Sequence, residues 1–413
     1  MTTSDLDVLA PKQLFVWIWL PGATEPVVCG RLDEGGPITF TYARSYRDRP
    51  AAVAVFAPEL PLDGAPPLTP LDGDRLPLCI DDSMPDSWGR RLVNHRLGVG
   101  FSELSELTYL VASSSDRIGA LDFQRSSTEF VPREAEPPTL DELADAARRI
   151  EEGEPIHHHL TEALLHGTSI GGARPKAALR DGESNLIAKF SSSTDTYPVV
   201  QGEYVAMTMA RRCGLNVAPV SLVQAQGRPA LLVERFDRPG PGQRRMMVSA
   251  LTVLGLNTYP GGRYATYCDL ADRIRQSFSH SDATLRELFA RISFNILCGN
   301  TDDHGRNHGA FVNERDMELT PAYDICPQAR RGSDANQAMA YGREGQRASR
   351  LHPLVKSAVV YRLNATEAQE IIDAQVRVIG DSWEEVCDEA QLTTVQRSTF
   401  LGGQFLNRFI FEN

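Results

Sequence analysis

The sequence predicts an α+β chain. A strand-rich N-terminal α/β domain comes first, then a unit that opens with strands and closes mostly as helix. Three observations carry this. Aromatic and β-branched runs crowd the amino-terminal stretch. A linker with three prolines, VPREAEPPT from Val131 to Thr139, divides the chain. Beyond Ser249 apolar residues recur at helical spacing, most clearly in TLRELFARISFNIL, where Leu285, Leu288, Phe289, Ile292, Ile296 and Leu297 form one stripe.

Taken in order, LFVWIWL (Leu14 to Leu20) and ITFTYARSY (Ile38 to Tyr46) read as strands, with PGATEP and DEGGP as turns. SMPDSWGRRLVNHRLG starts as a turn and continues as a helix, with Pro85 and Trp88 as packing residues. After the linker, Thr139 and Glu142 make a capping box for a helix that aligns Leu140, Leu143, Ala147 and Ile150 on one face. SNLIAKF (Ser184 to Phe190) is a strand. The helix that follows it stops at Gly214, and RPALLVERFDR (Arg228 to Arg238) is again extended. This divides the chain into residues 1–130, 139–248 and 249–413.

With 413 residues the chain is long enough for two or three domains. Its net charge of −12 excludes a nucleic-acid binder by charge alone, so DNA association would need a basic patch or a partner. The seven cysteines include no Cys-x-x-Cys pair, which fits a reducing cytoplasm and free thiols. MTTSDLDVLAPKQ has neither the basic start nor the apolar core of a signal peptide, and LFVWIWL is too short to span a bilayer. The expected location is the cytoplasm, with no membrane partner.

The densest chemistry lies in GNTDDHGRNHGAF, from Gly299 to Phe311. Asp302 and Asn307 stand at the Asp-x-x-x-x-Asn spacing of a phosphotransferase loop. In such a loop the aspartate orients or deprotonates the attacking hydroxyl, and the asparagine offers an oxygen to magnesium. LTPAYDICP places Asp324 after a strand and turn, where a second magnesium-binding carboxylate belongs. Upstream, TSIGGARPKAAL carries Gly171, Gly172 and Lys176, suited to close backbone approach to phosphates, although a plain hairpin turn explains the glycines equally well. Lys189 ends a strand and Glu203 lies in the next helix, the pairing that holds α- and β-phosphates. The plainer reading is a strand-edge charge and a solvated helix charge. LLVERFDR then serves as a hinge whose backbone near Glu234 and Phe236 meets adenine. Singly these signals are weak. Their order (glycine loop, strand lysine, helix glutamate, hinge, long helix, Asp-x-x-x-x-Asn, late aspartate) is that of a protein-kinase-like, two-lobed fold with a mostly helical C-lobe.

At these residues the sequence resembles the HipA family of serine/threonine kinases, toxins of bacterial toxin–antitoxin systems. SIGGARPKAAL, LIAKF, LLVERFDR, GNTDDHGRNHGAF and LTPAYDICP carry the likeness, and GPITFTYARSY, SMPDSWGRRL and DRIGALDF extend it to the amino-terminal half. SMPDSWGRR departs from the family's LPDG-type segment. The resemblance implies ATP and Mg2+ as cofactors, Asp302 as catalytic aspartate, and Asn307 and Asp324 as metal ligands. It implies nucleotide contacts from Ile170, Gly171, Gly172, Lys176, Lys189, Glu203, Glu234, Phe236 and His304. Ser169 matches a serine that family members autophosphorylate to switch themselves off. The implied partners are a HipB-like helix-turn-helix antitoxin, which binds DNA on the kinase's behalf, and an aminoacyl-tRNA synthetase as target.

Three other readings meet the same residues. His304 and His308, at i and i+4, suggest zinc, but Gly305 and Asn307 make a poor helix and no glutamate follows His304. The run His157 to His159 reads as a surface accident. A kinase-fold small-molecule phosphotransferase would share Asp302 and Asn307, and a non-catalytic binding protein would keep the fold without turnover.

Overall fold

The computed structural model describes residues 11–412 except 72, 100–103, 134–137, 155, 157–159, 161–163, 165–173, 183, 193–194 and 330–334. The amino-terminal part is built on an antiparallel sheet of order β3-β2-β1-β4, from β1 (Gln13–Ile18), β2 (Val27–Asp33), β3 (Thr39–Tyr42) and β4 (Leu121–Gln124). Leu14 and Val16 are wholly buried, and Trp17 to Trp19 are buried too, so this strand is covered on both faces. Helix α1 (Ser87–Leu97) starts at Asp86, whose side chain accepts from Gly89 N, and ends at Gly98 in the left-handed region. Trp88 in its first turn is fully buried, as packing predicted. ITFTYARSY is strand only as far as Tyr42 and then turns into a short helix, Arg44–Arg47.

Helix α2 (Leu140–Glu152) has the predicted capping box between Thr139 and Glu142, and buries Leu143, Ala147 and Ile150. A second antiparallel sheet follows, of order β5-β6-β8-β7, from β5 (Lys176–Asp181), β6 (Ser184–Phe190), β7 (Val220–Ala225) and β8 (Arg228–Glu234). Helix α3 (Val199–Arg212) packs against this sheet.

Past Ser249 the chain is mostly helical, with α4 (Ala250–Leu254), α5 (Tyr267–Ser277), α6 (Ser281–Cys298) and α7 (Ala365–Glu389). All six residues of the predicted stripe in α6 are fully buried. The exception to helix is a small sheet of order β11-β10-β9, from β9 (Met247–Ser249), β10 (Gly309–Val312) and β11 (Met317–Leu319). β10 and β11 form the hairpin expected between Asn307 and Asp324. Among the described residues no helix is long and apolar enough to cross a membrane.

Candidate active site

Period-two alternation in β6 sets up the cleft. Ala188 and Phe190 point into the core, so Ile187 and Lys189 face the other way and line a cleft between the second sheet and the helical part. Lys189 Nζ lies 2.5 Å from Glu203 Oε1 and 2.5 Å from Asp324 Oδ1. Glu203 comes from the middle of α3 and is 4% exposed at its side chain. The strand lysine and helix glutamate are therefore paired in space. Burial raises the Glu203 carboxyl above its ordinary range and Lys189 only partly offsets this. Burial also works to raise Asp324, but there the Lys189 ammonium wins and holds the carboxyl low. One ammonium serves two carboxylates, and it outweighs burial at Asp324 but not at Glu203.

Asp324 has φ of +59°, a left-handed conformation uncommon outside glycine and most accessible to Asn and Asp. Asp302, Gly305 and Asn307 sit on a turn that ends in a 3-10 segment, Gly305–Asn307. Asp302 is exposed, and Asn307 is buried with its Nδ2 donating to Asp302 O at 3.4 Å. Partial desolvation by the surrounding loop raises the Asp302 carboxyl, His304 opposes this, and the Asp324 and Asp303 charges push it up further. His304, Asn307 and Asp324 line the same cleft as Lys189, Glu234 and Phe236. Among the described residues no protein donor reaches Asn307 Oδ1 or Asp324 Oδ2. These are hard oxygen donors of the kind magnesium prefers, so the residues present fit that ion.

In the segment read as a hinge, Glu234 N donates to Pro219 O and Arg235 N to Asn185 O, both at 2.9 Å. The Phe236 ring packs edge-on to Phe311 and tilted against Tyr323.

Some predicted residues are placed otherwise. Ser169, Ile170, Gly171 and Gly172 lie outside the described residues, as does the run His157 to His159. Lys176 pairs directly across β5 and β6 with Lys189, so both lysines share a face. Its ammonium goes to Asp86, an acceptor the sequence reading did not assign to it. Like charges opposite one another in a sheet repel, and the separate carboxylate partners relieve this. His304 and His308 part company: His304 is exposed, while His308 is buried with Nε2 2.8 Å from Asp303 Oδ2.

Asp303 is the largest omission of the sequence reading. It is buried, and its Oδ2 meets His308, accepts from Asn295 Nδ2 at 2.8 Å and accepts from the Tyr267 hydroxyl. Burial pushes its carboxyl up, but His308 and the Tyr267 hydroxyl hold it below its ordinary value. It anchors the loop to α5 and α6. The charged residues of LLVERFDR also have partners that the sequence did not indicate. Arg235 Nη1 donates to Asp116 at 2.7 Å, Arg235 and Arg238 both bind Asp237, and Gly119 N donates to Asp237 Oδ2 at 2.8 Å. The charged residues of ERFDR thus clasp the amino-terminal DRIG segment. Ile118 and Asp82 from that part also line the cleft.

Comparison with known proteins places this architecture. The HipA-like C-terminal domain profile matches residues 168–383, more than half of the chain, and the HipA N-terminal domain profile matches residues 24–124. The chain belongs to the HipA family. HipA from Shewanella oneidensis, named a serine/threonine-protein kinase toxin, is 27% identical over 293 residues, 63% of this chain and 65% of its own length. Sinorhizobium fredii Y4mE is 28% identical over 331 residues, 71% of this chain and 73% of its own. The solved complex of Shewanella HipA with HipB and operator DNA contains a chain that superposes with TM-score 0.69 at 20% identity, covering 96% of this chain and 99% of that one. The fold is that of HipA: α+β, two-lobed and kinase-like, with an amino-terminal domain in front.

Proposed function

We propose that this HipA-family chain is an ATP- and Mg2+-dependent protein serine/threonine kinase and the toxin of a HipBA-like module. The observation that supports it most is the meeting of Lys189 with Glu203 and Asp324 in the cleft that Asn307 and the hinge also line. In this reading Lys189, steadied by Glu203, binds the α- and β-phosphates, and the backbone at Glu234 and Phe236 takes the adenine edge. Asp302 orients the acceptor hydroxyl and takes its proton as the γ-phosphoryl group transfers in line. Magnesium, held by Asn307 and Asp324, would neutralise charge on the phosphoryl oxygens. The family resemblance assigns nucleotide contacts to Ile170, Gly171 and Gly172 as well, with Lys176 beside Lys189, and in this reading His304 borders the nucleotide.

The partner in this reading is a HipB-like antitoxin that contacts DNA for the pair. Its support is the Shewanella complex and the acidic balance of this chain. The target is an aminoacyl-tRNA synthetase in the cytoplasm, which rests on the family resemblance. Autophosphorylation of Ser169 would place nearly two negative charges where ATP phosphates belong and stop turnover.

Intact mass spectrometry with peptide mapping, after incubation with Mg2+ and ATP, tests this. A phosphoryl group on Ser169 of the wild type, absent from Asp302→Asn, is the expected result. Phosphate on neither protein, and no transfer to any purified aminoacyl-tRNA synthetase, would refute the protein-kinase reading. A small-molecule phosphotransferase or a binding protein would then remain.

A further inference from the structure

Arg306 lies between Asp302 and Asn307 at the edge of the cleft, and its side chain reaches across to Asp81 of the amino-terminal domain and to Thr258. Nη2 donates to Asp81 Oδ2 at 2.8 Å and Nε donates to Thr258 Oγ1 at 3.0 Å. Thr258 itself donates to Asp81 Oδ2 at 3.3 Å, which closes a three-membered network. The Arg306 carbonyl accepts from the Tyr323 hydroxyl at 2.7 Å, and Tyr323 precedes Asp324. A single residue thus joins the turn bearing Asp302 and Asn307, the segment bearing Asp324, and the separate amino-terminal domain.

The next residue, Asp82, reaches the same loop by a second route. It accepts from Ser249 N and Thr252 Oγ1, both at 2.7 Å, at the start of α4. Gly305 sits so close to α4 that a Cβ on it would fall 2.5 Å from Leu251 Cδ2. Asp81 therefore holds the loop through Arg306, and Asp82 holds the helix beneath Gly305.

We infer that Asp81 and Arg306 are a positioning pair through which the amino-terminal domain sets the geometry of the phosphoryl-transfer loop. This deepens the kinase reading and rests on it. Both side chains are 29% exposed, and ion pairs of such exposure contribute little to stability. A network that adds little to stability yet spans three functional segments acts on geometry, and loop displacements of about 1 Å can cost roughly a hundredfold in rate.

The test uses the full chain with Asp81→Ala, Arg306→Ala and the double variant. Transfer of labelled phosphate from ATP to casein and to the chain itself gives kcat and KM, and hydrogen exchange is followed over residues 302–308. Each single variant should lose about ten- to a hundredfold in kcat with KM for ATP unchanged. The double variant should be no worse than Arg306→Ala, because the contact between Asp81 and Arg306 is already gone in that single variant. Exchange in the loop should rise while the thermal midpoint holds. Wild-type kcat and wild-type exchange in Asp81→Ala, or additive losses in the double variant, would overturn the pair. If the wild type transfers no phosphate at all, the kinase reading fails, and the exchange arm still decides whether Asp81 holds the loop.

Discussion

Lys189 Nζ lies 2.5 Å from Asp324 Oδ1, although the two residues are 135 positions apart. The pair crosses the cleft from β6 to the segment after the β10–β11 hairpin. With Glu203 on its other side, the ammonium is the positive charge that the cleft directs at both carboxylates. Replacing it leaves those carboxylates facing each other without a cation. Lys189→Ala should therefore lower phosphoryl transfer by about two to three orders of magnitude, the range for losing one preorganised charge. Steady-state kinetics with varied ATP measures this, and a variant at the wild-type rate would remove Lys189 from the phosphate site.

Asp302 differs from Asp303 because its side chain is exposed and anchors no buried network. Asp302→Asn keeps the shape and removes the base. Transfer should fall by about 10²- to 10⁴-fold, as for other general bases. The thermal midpoint should stay where it is. A folded, fully active Asp302→Asn protein would end the assignment.

How far the sequence reached depends on the range of each interaction. The capping box at Thr139, the strand holding Lys189 and the stripe of α6 were legible because they are set by neighbours in the chain. The pairing of Lys189 with Glu203 was legible through order and spacing. What escaped is held by contacts distant in sequence. Nothing near Lys176 indicates that Asp86 will meet its ammonium, and nothing near Arg235 indicates Asp116. Asp303 was passed over for a different reason: in a polar loop beside Asp302 nothing local sets it apart, and only burial against α5 and α6 makes it an anchor. A signal was available in Asn295, a polar residue inside the apolar stripe of α6 that requires a buried partner.

That anchoring role makes a stability prediction. Removing the Asp303 carboxylate strands the Tyr267 hydroxyl, Asn295 Nδ2 and the His308 ring, all in buried residues. Asp303→Ala should destabilise the chain by about 3–5 kcal/mol, the scale for breaking a buried charged network. Urea denaturation measures it, and a change within error of zero would show that the network is not sustained in solution.

The hinge clasp predicts how stability depends on pH. Asp237 is buried between Arg235 and Arg238, whose side chains are 2% and 5% exposed. Burial works to raise its carboxyl, but the two guanidinium groups hold it below the ordinary value of 3.8. The folded pKa is thus lower than the unfolded one, so the folded state binds fewer protons near pH 4. The resulting stabilisation is complete above the unfolded value and is lost as pH falls through it towards the folded value. Asp116 shifts in the same direction, since Arg235, Arg238 and Arg244 together outweigh its burial. Wild-type stability should therefore decline on acidification below pH 4, and Asp237→Asn should decline less steeply while starting about 3–5 kcal/mol lower at pH 7. Calorimetry from pH 3 to 7 on both proteins decides it. Parallel curves would mean that Asp237 titrates alike in both states. The clasp between the hinge and the DRIG segment would then contribute packing alone.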